Sequence, residues 1–84
     1  MIVEWDPYAL DDWQRLELED ATAVARAAYA WAEDGTGVVE AAEGGGVFRL
    51  HVDGRHVVAF LIDDTTDTMH VIRVHGPRAR PRAH

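Results

Sequence analysis

The segment VFRLHVDGRHVVAFLI, residues 47–62, decides the fold class of this chain. Apolar side chains alternate with Arg49 and His51, and this period of two predicts a strand over Val47–Asp53 with one buried and one polar face. The Asp-Gly dipeptide at its end is the signal of a two-residue hairpin loop. Arg55–Ile62 follows, and after its first two residues it is apolar on both faces, which predicts the central strand of a sheet.

A third strand is predicted further along the chain. The turn at residues 63–67 separates the central strand from Thr68–His75, which is predicted as the last strand, and Gly76-Pro77 ends it. The remaining residues, 79–84, are expected to form a basic tail without fixed structure.

The first half of the chain predicts one strand and two helices. The apolar segment Met1–Trp5 is predicted as a strand. Asp6 is a good helix N-cap and the proline after it suits the first helical position, so we expect a helix from Pro7 to about Leu16. Asp20 is expected to cap a second, alanine-rich helix over Ala21–Glu33, which the following Asp-Gly pair ends.

The predicted order of elements is β-α-α-β-β-β, with residues 36–46 as a loop before the last three strands. This order defines an α+β domain in which an N-terminal helical hairpin packs on a mostly antiparallel sheet. A chain of 84 residues and 9.4 kDa is expected to fold as one domain, residues 1–84.

The composition excludes several classes of protein. The chain has no cysteine, which excludes disulfides, thiol catalysis and cysteine-based zinc sites. Its longest apolar run, residues 57–62, is far shorter than the roughly 20 residues that a membrane span requires. The acidic N-terminus does not resemble a signal peptide. We therefore expect a cytoplasmic protein that does not associate with membranes.

Charge is distributed unevenly along the chain, although the net charge is −7. Residues 1–46 hold eleven Asp and Glu against Arg15 and Arg26, whereas residues 47–84 hold six Arg, all five His and only four Asp. The negative total argues against a general nucleic-acid binder. Because the acidic half is predicted to be helical and the basic half to form the sheet, we expect two surfaces of different sign.

Three stretches of the sequence carry a resemblance to a known family: EWDPYAL at residues 4–10, FRLHVDGRHVV at 48–58 and VIRVHGPR at 71–78. In this order and spacing they resemble the RelE/ParE superfamily, the toxins of bacterial type II toxin–antitoxin systems. The resemblance covers residues 1 to about 78. It implies the α+β fold predicted above, a cognate antitoxin as partner and no cofactor, and it leaves open whether the chain forms a homodimer.

In the RelE branch, the resemblance implies an endonuclease that cuts mRNA in the ribosomal A site without a metal. A 2′-hydroxyl attacks the neighbouring phosphate, so the site needs an acid, a base and cations. Arg49 and His51 match basic residues on the first strand after the helices, and His56 matches a catalytic arginine. Arg78 matches an arginine after the last strand, and His84 a late acid or base. The candidate catalytic residues are His51, His56 and His84, and the candidate phosphate- and RNA-binding residues are Arg49, Arg55, Arg73 and Arg78.

Two other functions remain open at this point. The sequence His75-Gly76-Pro77-Arg78 resembles the ParE branch, whose members inhibit DNA gyrase by binding and need no catalytic residues. The acidic balance of the chain favours a third possibility, a non-toxic member that only binds a protein partner.

The candidate residues also have purely structural interpretations. Arg49 and His51 suit the solvated face of an antiparallel strand. His56, at the start of a strand, suits a surface position. Arg73 suits an ion pair with a carboxylate across the sheet.

A metal site is not predicted, although His51 and His56 share their spacing with His70 and His75. Residues five apart on one strand lie on opposite faces, which separates the second pair. No cysteine supplements the histidines.

Overall fold

The computed structural model describes residues 1–76, which form two helices and one five-stranded mixed sheet. The predicted basic tail, together with Arg78 and His84, lies outside the described residues. The elements are β1 (Ile2–Trp5), α1 (Pro7–Gln14), α2 (Leu18–Asp34), β2 (Val38–Ala41), β3 (Phe48–Val52), β4 (His56–Asp63) and β5 (Thr68–His75). The predicted α+β class is confirmed.

The strands lie in the order β1-β5-β4-β3-β2, with β1 parallel to β5 and the other neighbours antiparallel. β4 is therefore the middle strand, as its two apolar faces predicted. The prediction of a loop throughout residues 36–46 is wrong, because β2 lies within it and pairs with β3. Val39 of β2 is opposite Leu50 and packs against the core, so burial of this β-branched residue accompanies the pairing.

The two helices differ from the predicted ones mainly at the joint between them. Asp6 caps α1 as expected: its carboxylate accepts a hydrogen bond from the Tyr8 N–H at 3.2 Å. α1 ends at Gln14, before the predicted Leu16. α2 begins at Leu18 after an extended Glu17, so Asp20 lies within the first turn and does not cap the helix. Its negative charge there interacts favourably with the helix dipole.

Both helices cover the same face of the sheet. Ala9 of α1 and Val24 and Ala28 of α2 are fully buried in one cluster with apolar residues of β3, β4 and β5. Phe60 of β4 is at its centre, with its ring centroid 4.7 Å from that of Trp31 in α2. The alternation of β3 is confirmed, since its apolar residues face the helices and its two basic residues do not. Among residues 1–76 no element covers the other face, called the open face below.

The layered arrangement can be tested by a substitution at the buried Phe60. We expect Phe60→Ala to lower the free energy of unfolding by about 3–5 kcal/mol, because it removes a fully buried aromatic ring and leaves a cavity. Leu61→Ala, the next residue and on the open face, should cost less than about 1.5 kcal/mol. Urea unfolding followed by circular dichroism measures both values. Equal losses would contradict the assignment of the buried face.

Candidate functional site

Two arginines lie in one row across three neighbouring strands of the sheet. Arg49 of β3 and Arg73 of β5 are both register partners of Ala59 on β4, so the three residues form one row across three strands. Two strand spacings, about 10 Å, separate the arginine backbones. Ala59 is buried between them. We call these three residues the arginine row.

A second row lies next to it, two residues further along β3. His51 of β3 and His75 of β5 are both register partners of Val57 on β4, and we call these three residues the histidine row. His75 is exposed and was not among the catalytic candidates of the sequence analysis. The sequence could have identified His75, because residues two apart on a strand share a face and Arg73 was already a candidate.

Carboxylates lie beside two histidines at the two edges of the sheet: His51 of the histidine row, and His70, which is outside it. Nε2 of His51 lies 2.9 Å from Oε1 of Glu40 on β2. On the opposite edge, Nδ1 of His70 in β5 lies 3.3 Å from Oε1 of Glu4 in β1. All four side chains remain at least partly exposed, so these pairs are open to solvent and to a ligand.

Arg73 is held by Asp12 of α1. Its Nε and NH2 groups donate to the two oxygens of the Asp12 carboxylate at 2.8 and 3.2 Å, and the Val74 N–H donates to the same group at 2.9 Å. The hydrogen bond from Arg73 is the main reason that the pKa of Asp12 lies below its ordinary value. Burial opposes this shift, and the Val74 N–H and the charges of Arg73 and His75 make smaller contributions that lower the pKa. The predicted carboxylate partner of Arg73 is confirmed, but it belongs to a helix and not to a strand.

His56 lies on the helix-covered face, apart from Arg49 and His51. Its side chain is only 4% exposed, so the interpretation as a surface residue is wrong. The predicted two-residue hairpin loop is also wrong, because Val52 pairs with His56 and three residues separate them. One additional loop residue moves every later side chain to the other face, which places His56 beside Val52 in the core and not beside His51.

The buried His56 ring also explains a glycine. A Cβ added at Gly76 would lie 3.2 Å from Cδ2 and 3.3 Å from Nε2 of this ring, which is closer than ordinary packing allows. The chain therefore passes His56 closely where β5 ends. This contact gives His56 a structural role among the described residues.

Arg55 also lies away from the two rows. It is in the hairpin loop, and its guanidinium is 3.9 Å from the Asp20 carboxylate on α2. Of the predicted site residues, the open face therefore brings together Arg49, His51 and Arg73 and adds His75. Within residues 1–76, Arg49 has no hydrogen bond or ion pair, so its guanidinium is available to a ligand.

The described residues contain neither a cluster of metal ligands nor a helix that could span a membrane. No group of three or more Asp, Glu or His side chains within residues 1–76 is arranged to hold a metal ion. In the same part of the chain, neither helix is long and apolar enough to cross a membrane.

The lowered pKa of Asp12 predicts a dependence of stability on pH. We expect Asp12→Asn to lower the free energy of unfolding at pH 7 by about 1 kcal/mol, since a charged hydrogen bond to a half-exposed arginine is lost. The difference between variant and wild type should be constant above about pH 4. It should vanish as the pH falls through the folded-state pKa, which lies below 3.8.

Urea unfolding between pH 2 and 7 measures this difference. Asp11→Asn is the matched control, because Asp11 forms an ion pair with the exposed Arg15 one turn away, and it should change stability by less than about 0.5 kcal/mol. A difference that persists at pH 2 would show that the Asp12 charge is not its source.

Comparison with known proteins gives relatives by structure alone. No protein-family model and no curated protein sequence matches the chain. The toxin–antitoxin complex RelBE2 from Mycobacterium tuberculosis contains a chain with TM-score 0.75 and 23% identity, over 89% of this chain and 95% of that one. The isolated Escherichia coli RelE toxin has TM-score 0.76 and 13% identity, over 95% and 87%. A YoeB/ParE toxin from Agrobacterium tumefaciens has TM-score 0.75 and 18% identity, over 90% and 98%. The chain therefore has the fold of the RelE/ParE-type toxins, as the resemblance in its sequence implied.

Proposed function

We propose that this protein is the toxin of a bacterial toxin–antitoxin pair and acts as a ribosome-dependent mRNA endonuclease. The observation that carries the proposal is the alignment of the arginine row and the histidine row on one open face. This face assembles the two kinds of group that RNA cleavage requires, cations for a phosphate and titratable groups for its oxygens.

The proposed reaction begins when the 2′-hydroxyl of a ribose attacks the neighbouring phosphorus. A base removes the hydroxyl proton, an acid protonates the 5′-oxygen that leaves, and the phosphate carries additional negative charge in the transition state. Arg49 and Arg73 supply guanidinium groups for that charge, and guanidinium matches the geometry of phosphate oxygens. This assignment requires no metal or organic cofactor.

The histidine row supplies the base and the acid in this proposal. His51 and Arg49 are two residues apart on β3 and so share a face at a distance of about 7 Å. The Glu40 carboxylate favours the tautomer of His51 with its proton on Nε2, which leaves Nδ1 to accept the 2′-hydroxyl proton. His75, on the other side of Val57, is the candidate acid. Arg78 and His84 remain candidates from the sequence.

The partners follow from the same proposal. Similar structures include the intact Escherichia coli RelBE complex and a YoeB–YefM complex from Staphylococcus aureus, which supports a cognate antitoxin for this chain. A YoeB dimer from Staphylococcus aureus is also similar to this chain. A homodimer of this chain stays a prediction. Action on the ribosome and its mRNA requires the protein to be in the cytoplasm.

A second candidate function is binding without catalysis, either to DNA gyrase or to another protein. One observation favours it: Arg73 and His51 already have carboxylate partners, and a chain of net charge −7 is repelled by ribosomal RNA as a whole. Such a protein would use the open face as a contact surface only.

The first test compares mRNA before and after brief induction of the protein alone in bacteria. Primer extension on a translated reporter should reveal new in-frame ends with the wild type. Arg49→Ala should reduce them by about 100-fold, because it removes a cation from the reacting phosphate. Arg15→Ala is the matched control, since it removes an equal charge from the C-cap of α1, and it should cleave like the wild type.

The other outcomes separate the alternatives. Intact mRNA from a folded, expressed protein would exclude the nuclease. A DNA-damage response in the same cells would then favour gyrase binding, and the absence of any toxicity would favour a protein partner.

A second test concerns the roles of the two histidines. His51→Ala and His75→Ala should each slow cleavage of a ribosome-bound mRNA by about 100-fold or more, as expected for loss of a general acid or base. In the wild type, the dependence of rate on pH should be bell-shaped, and each variant should lose one limb. A variant that keeps both limbs would remove that histidine from the chemistry.

A further inference from the structure

A separate cavity of about 790 Å³ opens on the same face, beside the arginine row. Its apolar lining includes Leu61 of β4, Ile72 of β5 and Pro7 at the start of α1. Ile72 immediately precedes Arg73, so the cavity begins where the arginine row ends on β5. Neither the arginine nor the histidine row lines this cavity, and the proposed cleavage reaction does not use it.

Glu4 and His70 provide the polar side of the cavity. They are register partners on β1 and β5, with Oε1 of Glu4 3.3 Å from Nδ1 of His70. The lining has three other carboxylates. Asp6 accepts a hydrogen bond from the Tyr8 N–H and Asp63 one from the Thr65 N–H, whereas Asp64 has no hydrogen bond within residues 1–76 and no histidine partner of the kind that orients Glu4. The Glu4 side chain is 60% exposed, so its carboxylate can accept further hydrogen bonds.

These groups define the chemistry of a ligand. The apolar lining suits a flat ring, and an ionised carboxylate accepts hydrogen bonds but donates none. A carboxylate also repels phosphate, which therefore remains at the arginine row. Among the four RNA bases, guanine alone presents adjacent N–H donors, N1–H and N2–H, that match the two oxygens of one carboxylate. Uracil has a single N–H between two carbonyl acceptors, which the carboxylate repels.

We propose that this cavity binds the guanine base of an RNA nucleotide next to the phosphate held on the arginine row, with Glu4 as the residue that selects it. The proposal rests on the proposed function, since it is the arginine row that makes the open face an RNA surface. An arginine side chain of a partner protein also has a flat group with adjacent N–H donors. Continuity of the cavity with the arginine row favours the RNA base.

The test uses the whole folded protein and nucleosides, which lack the phosphate that the arginine row would bind. Guanosine, inosine and uridine are titrated separately while ¹H–¹⁵N spectra are recorded. Guanosine should shift the amides of residues 61–65 and 70–72 and bind at least about fivefold more tightly than inosine, which lacks only the N2 amino group. Uridine should bind no more tightly than inosine.

Two matched variants locate the selectivity. Glu4→Gln should abolish the preference for guanosine over inosine, because the amide offers one acceptor and not two. Glu40→Gln makes the same change on the opposite edge of the open face, beside His51, and should leave the preference unchanged.

The remaining outcomes would overturn the proposal. No shift at residues 61–65 and 70–72, equal affinity for all three nucleosides, or an unchanged preference in Glu4→Gln would each do so. Tighter binding of Nα-acetylarginine amide than of guanosine would assign the cavity to a protein partner. The nucleoside titrations measure binding and not cleavage, so their result does not depend on nuclease activity. Loss of cleavage in Arg49→Ala, with guanosine binding retained, would separate the two sites.

Discussion

The carboxylate of Asp12 joins the helical layer to the sheet and also sets one side of the candidate site. β1 pairs with β5 only as far as Val71, so no strand of the described part of the chain lies along the outer edge of the last residues of β5. The Asp12 carboxylate lies at this edge, where it accepts one hydrogen bond from the Val74 N–H and two from the Arg73 guanidinium. One side chain thus satisfies an edge that backbone pairing leaves open, and it fixes where the Arg73 guanidinium lies.

The division of charge between the two layers reconciles an acidic protein with a basic surface. The helices and their two N-cap residues carry eight of the fifteen carboxylates, whereas the open face carries the arginine row and the histidine row with Glu4 and Glu40 at its edges. At physiological ionic strength, interactions between exposed charges are screened beyond about 8 Å, so acidic groups on the outer side of the helices act weakly on a ligand at the opposite face. The net charge of −7 is therefore a poor guide to the charge of the open face.

Local patterns predicted the parts of the fold that depend on local physics. The alternation of residues 48–52 placed Arg49 and His51 on one face, and the apolar run of β4 placed it in the middle of the sheet. The position of His56 was beyond such patterns, since it depends on one additional residue in a hairpin loop. The contact of Asp12 with Arg73 joins residues 61 apart, and only the folded chain brings them together.

The basic side chains of the open face are not equivalent, because most of them already have an acceptor. Arg73 is held by Asp12 and His51 lies beside Glu40, so a phosphate that uses them competes with a carboxylate in the same molecule. Arg49 makes no hydrogen bond or ion pair within residues 1–76, although Glu40 is its register partner on β2, and it would meet an incoming phosphate first. Each intramolecular carboxylate reduces the binding free energy that a ligand gains from its charge, but it leaves the geometry of the N–H donors intact. A surface arranged in this way therefore favours ligands that offer several matched groups at once over ligands that offer charge alone.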